Sequence, residues 1–84
     1  MQNVPSPEYE SELRLVLERG DWEALREFTH KHNQIPDEIY QQEQHFWEVL
    51  LHKLICNRID MMGMHDASRE WLERHGYTTD LGGF

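Results

Sequence analysis

The sequence predicts an all-α domain: a small bundle of about four helices, near 7–19, 22–32, 36–60 and 67–75, with a long central third helix. Three observations carry this reading. Apolar residues recur at three- and four-residue intervals, the period of one helix face. In the body of the chain glycine stands only at 20, 63 and 76, where those periodic stretches stop. No stretch alternates apolar and polar residues as a half-buried strand would.

The first helix opens at Ser6-Pro7-Glu8, where serine can cap, proline is tolerated at the first helical position and glutamate suits the positive end of the dipole. Tyr9, Leu13, Val16 and Leu17 make its apolar face, and Gly20 is a left-handed stop. Asp21 caps the second helix, whose inner face carries Trp22, Leu25 and Phe28, with acids early and bases late. The join is so short that the two helices must form a corner or a hairpin. Asn33-Gln34 ends the second helix and Pro36 opens the long one, the densest apolar block in the chain. After Met61-Met62-Gly63-Met64, a break filled by flexible thioethers, Asp66 caps a last helix with Ala67, Trp71 and Leu72 inward. Gly76 followed by Tyr77 reads as a Schellman stop, with Tyr77 folding back on Leu72.

Eighty-four residues make one domain, 1–84, with 1–5 and 78–84 expected as flexible ends. Three Trp, three Tyr and three Phe supply the large rings that a core this small needs. Sixteen acids against eight bases give a formal charge of -8, which repels DNA, RNA and anionic lipid and speaks against direct nucleic-acid or membrane binding. The longest apolar run, Val49-Leu50-Leu51, is far too short to span a bilayer. The amino terminus, MQNVPSPEYE, has neither the basic region nor the apolar core of a signal peptide. A single cysteine, Cys56, suits a reducing compartment, so the expected location is the cytoplasm.

The residues with the most chemistry lie on the long helix: His45, Glu48, His52 and Cys56. Four-residue spacing can place two metal ligands on one face, and at about 100° per residue His45, His52 and Cys56 fall within roughly 40° of one another. The same wheel puts Phe46, Trp47, Leu50, Leu51 and Leu54 on the other side, so the stripe is expected to face solvent. An exposed stripe on one helix has no second direction of ligation, and no metal or other cofactor is expected unless another chain covers it. Glu27-x-x-His30 has the spacing of carboxylate di-metal bundles but lacks a second such pair. Cys56 with His52 has no orienting third group and no glycine-rich turn beside it, so no catalytic residue is assigned and an enzyme is not expected.

Val49 and Ile59 lie on the shoulders of the polar stripe, and Met61, Met62 and Met64 sit in the break. Apolar residues off the core face beside flexible methionines often mark a partner surface, so these five are the candidate partner-binding residues. The resulting expectation is a small, acidic, non-catalytic protein-interaction module (adaptor, regulator or inhibitor) with a homodimer as one form. Two alternatives stand beside it. One is an acidic mimic of nucleic-acid phosphates, built on the acids between Glu8 and Glu27; the other is a metal- or redox-responsive protein using His45, His52 and Cys56.

Overall fold

In the computed structural model, which describes residues 7–32 and 35–82, every regular element is helical among the described residues. The readings that concern 1–5, Ser6, Asn33-Gln34 and Phe84 fall outside the described residues.

Helix α1 (Pro7–Arg19) ends where Gly20 takes φ 66° and donates its N–H to the Leu17 carbonyl at 3.1 Å. A positive φ at this point is costly for any residue with a Cβ, which is why glycine stands there. Asp21 then accepts the Glu23 N–H at 3.0 Å and starts α2 (Trp22–Lys31) as its side-chain cap. The two helices fold back as a hairpin. Tyr9, near the start of α1, meets Phe28 and His32 at the end of α2, with ring centroids 5.0 and 5.1 Å away, and Lys31 reaches Glu12 at 3.1 Å. Val16, Leu17, Leu25 and Phe28 are buried between them.

The long helix expected over 36–60 is interrupted. A single turn, α3 (Asp37–Tyr40), is followed by a bend through 41–43, and α4 runs from Gln44 to Cys56. No glycine or proline marks this break. Its cause is tertiary, because α2 captures Tyr40 by its carbonyl, its hydroxyl and its ring. Arg26 Nε donates to the Tyr40 carbonyl at 2.9 Å, its guanidinium lies 4.0 Å over the ring, the Tyr40 hydroxyl donates to Glu27 at 3.1 Å, and His30 stacks on the ring at 4.0 Å. A carbonyl that would have fed the helix ladder is committed to Arg26 instead. The Glu27/His30 pair therefore brackets an aromatic ring.

At the other end α4 stops at Cys56. Asn57 donates from Nδ2 to the Lys53 carbonyl at 2.8 Å and turns the chain into a 3-10 segment, Ile59–Met64, kinked at Met61. Helix α5 (His65–Arg74) follows two residues earlier than expected. Asp66 does not cap it; it sits inside the first turn and accepts from Arg69 at 2.7 Å. The helix starts early because His65 is held at both ends: its Nε2 donates to the Arg58 carbonyl at 2.8 Å, and its own carbonyl accepts from the Cys56 thiol at 3.8 Å. At the far end Gly76 has φ 84°, Tyr77 N–H reaches the Leu72 carbonyl at 2.8 Å and Gly76 N–H the Glu73 carbonyl at 3.1 Å. That is the Schellman pair of bonds the sequence announces.

Helix α4 is the spine, packed by α1 and α2 on one side and by α5 on the other. Its inward residues split accordingly. Trp47, Leu51 and Ile55 join the main core with Val16, Leu17, Leu25, Phe28 and Met61. Val49 and Lys53, also buried, lie roughly opposite on the helix wheel. Residues 78–82 run back over this second side, where the Thr79 carbonyl accepts from Asn57 Nδ2 at 2.7 Å and the Asp80 carbonyl from Lys53 Nζ. This part of the expected loose end is thus tied down by two side chains of the α4 carboxyl end. Lys53 is wholly shielded from solvent, its aliphatic stem sharing the apolar side while its ammonium group meets that carbonyl. Among the described residues, no helix is long and apolar enough to cross a membrane.

Candidate functional site

The polar stripe of α4 is only partly open to solvent: His45 is exposed, whereas Glu48, His52 and Cys56 are half-buried. Helix α5 lies along it, and each stripe residue finds a partner there or nearby. His52 Nδ1 shares a hydrogen bond of 3.0 Å with Ser68 Oγ, and its ring stacks on Trp71 with centroids 4.5 Å apart. His45 Nε2 shares one of 3.0 Å with the Tyr77 hydroxyl. Cys56 donates to the His65 carbonyl, and Glu48 accepts from Gln44 at 3.3 Å. The expectation of an outward face holds for His45 and fails for His52 and Cys56, because it treats α4 as having one dry side. An 84-residue chain with two helical layers to place must wrap its spine from both sides.

Trp71 organises the seam. His75 stacks on it with centroids 3.9 Å apart, and His75 Nδ1–H donates to the Trp71 carbonyl at 2.8 Å, which sets that imidazole's tautomer. Three histidines, His45 and His52 on α4 and His75 at the carboxyl cap of α5, therefore converge on one indole ring. Of these, sequence reasoning finds the two on α4 and misses their α5 partners. The signal for Ser68, Trp71 and His75 is their spacing at i, i+3 and i+7, which puts them on one helix face.

Burial shapes the chemistry. It pushes the His52 imidazole below its ordinary value; the Glu48 carboxylate opposes the shift and the neighbouring His75 adds to it. Burial likewise pushes the Cys56 thiol up, with Arg69 opposing. A thiol held protonated is a poor nucleophile. Cys56 is accordingly expected to react with iodoacetamide near neutral pH at least about tenfold more slowly than a free thiol, and to match it once the chain is unfolded. Alkylation followed by mass spectrometry checks this; equal rates in the native and unfolded chain would contradict it.

Ser68 beside His52 has the makings of a nucleophile and base, but Ser68 is only 2% exposed. A concave groove of about 290 Å³ opens nearby, lined by Gln42, Glu43, His45, Phe46, Val49 and Tyr77, and these walls include neither Ser68 nor His52. Nor do His45, Glu48, His52 and Cys56 converge on a point: among the described residues, no three of His, Cys, Asp and Glu come together as a metal site. What the arrangement does chemically is clamp α5 to α4.

The candidate partner-binding residues divide sharply. Val49 and Met61 are buried, and Met64 is half-buried against the core. Val49 is covered because the side of α4 away from the main core is itself a buried face, and Met61 because the kink turns it inward. Ile59 and Met62 are open to solvent, 86% and 66% exposed. Compared with family models, with curated proteins and with solved structures, the chain finds no match in any of the three.

Proposed function

We propose that this chain is a small acidic non-catalytic interaction module, an adaptor, regulator or inhibitor that works by binding another protein, a second copy of itself included. The observation that carries the reading is the Ile59/Met62 pair. Both are large apolar side chains open to solvent, three residues apart in one short turn, and together they form an exposed apolar face. That face is held in place. Arg58, at its foot, bonds Asp60 at 3.1 Å and reaches Glu10 of α1 at 3.3 Å, fastening the segment to the first helix. Large apolar side chains displayed on a braced turn are what a partner surface needs. The lone Cys56 fits a cytoplasmic setting.

The acidic-mimic alternative has less support, because Glu10, Glu12, Glu18 and Glu27 each lie beside a cation and so do not form a bare acidic ridge. The metal- or redox-responsive alternative would require His45, His52 and Cys56 to leave the partners that hold them on α5 and beyond.

The test is the double substitution Ile59→Glu, Met62→Glu. Both sites are exposed, so the melting temperature is expected to stay within a few degrees of the parent. Sedimentation of the parent over rising concentration reads self-association, and capture from the native host reads a foreign partner. A mass increase or a captured protein that the double variant loses supports the proposal. A parent that stays monomeric and captures nothing the variant fails to capture overturns it.

A further inference from the structure

We infer that the groove between the start of α4 and Tyr77 receives an arginine side chain from a basic peptide segment of the partner. The inference rests on the interaction-module reading and names a second contact for it.

Its walls supply complementary chemistry. Phe46 and Tyr77 bring two partly exposed aromatic rings, and Glu43 brings an exposed carboxylate. The Tyr77 ring is pinned at the rim by its hydroxyl bond to His45, so this wall is set in advance. Glu43 begins α4 through its backbone only, its side chain making no capping bond, so the carboxylate is not consumed by the helix it starts. No lysine or arginine lines the groove, and the chain as a whole carries a charge of -8. A cation is therefore drawn to this face, and a flat one finds rings to lie on and a carboxylate to pair with.

The chain builds the same recognition internally. Arg26 lies 4.0 Å over the Tyr40 ring, with the Glu27 carboxylate 3.6 Å from its Nη1. There the ring, the acid and the guanidinium all come from one molecule. At the groove, ring and acid stand together with no lysine or arginine among the lining residues, and a cavity of about 290 Å³ has room for one long side chain. Arginine fits better than lysine because a planar guanidinium can stack and pair at once.

The experiment uses the full chain labelled with nitrogen-15 and a short blocked glycine peptide carrying one arginine, alongside a twin in which citrulline replaces it. Citrulline keeps the shape and removes the charge. The arginine peptide is expected to shift the amides of Gln42, Glu43, Phe46 and Tyr77 saturably, and the citrulline peptide to shift them far less. Glu43→Gln, at an exposed position, is expected to weaken binding about threefold or more. Tyr77→Leu, which removes the ring, is expected to abolish saturable binding, and Tyr77→Phe, which keeps the ring but frees it from His45, to weaken it less. Equal shifts from the two peptides, shifts scattered over the acidic faces of α1 and α2, or no effect of Glu43→Gln would overturn the inference. If the peptide binds nowhere while the Ile59/Met62 face still holds a partner, the groove reading falls and the module reading stands. If neither surface holds anything, both fall.

Discussion

Trp47→Ala is expected to cost about 3–5 kcal/mol and to leave the domain at or beyond the edge of unfolding. The total stability of a domain this size is on the order of 4–12 kcal/mol, and toward the low end, where a chain this short belongs, a loss of that size removes most of it. Trp47 is fully buried on the side of α4 that meets α1 and α2, with Leu51 and Ile55 one and two turns further on. Truncating it removes the largest fully buried side chain among the described residues. Phe46, edge-on to it with centroids 5.5 Å apart, is only half-buried and cannot swing in without uncovering itself. Trp47→Phe should behave differently. The Trp47 Nε1–H is buried and finds no acceptor among the described residues, so its desolvation works against folding. Phenylalanine leaves a smaller cavity and removes that donor, and the two effects partly cancel. Urea unfolding followed by circular dichroism checks both. The expectation is a midpoint near zero denaturant for the alanine variant and a loss of about 2 kcal/mol or less for the phenylalanine one. An alanine variant as stable as the phenylalanine one would show that Trp47 does not hold the core.

Local chemistry is well written into this chain, and long-range capture is not. Gly20, Asp21 and Gly76 act through bonds to residues within five positions, so their turns and caps can be read from neighbours alone. The inner faces of α1 and α2 follow from helical spacing for the same reason. The break at 41–43 cannot be read this way, because Gln41, Gln42 and Glu43 would sit comfortably in a helix. What stops it is Arg26, fourteen residues upstream, taking the Tyr40 carbonyl. The polar stripe of α4 is legible as a stripe, since His45, His52 and Cys56 share a side of the helix wheel. Its burial is not, because nothing in α4 says that Ser68 and Trp71 will lie over it. Val49 misleads for a related reason: a shoulder on a helix with one dry side is the centre of a face on a helix with two. Ile59 and Met62 keep their expected exposure because the 3-10 segment turns Met61 and, in part, Met64 inward instead.

Acidification should loosen the clamp between α4 and α5, and His52 sets the pH at which it begins. Unfolded, its imidazole titrates near pH 6.5. Folded, burial holds it lower, against the pull of Glu48 on its own helix and with the push of His75 from α5. Above about pH 6.5 both states keep it neutral, and its contribution to stability is fully present. As pH falls through that value the unfolded chain takes up the proton first, so stability declines until the folded imidazole is protonated too. Glu12 and Asp60 act in a separate, more acidic window. Lys31 holds the first carboxyl below its usual range and Arg58 the second, so their contribution is present near neutrality and is lost only as pH drops below about 4. The melting temperature is therefore expected to fall in two steps, the first starting near pH 6.5. His52→Gln, whose amide can still bond Ser68, should flatten the first step and spare the second. Ser68→Ala tests the same bond from the other helix. It leaves a half-buried imidazole nitrogen without its partner and should cost about 1–3 kcal/mol, or roughly 4–8 °C in melting temperature for each kcal/mol. It should cost much less in the His52→Gln background, because the two side chains act through one contact. A melting temperature indifferent to pH between about 7.5 and 5, or an undiminished first step in His52→Gln, would mean that the seam is held by packing on Trp71 alone.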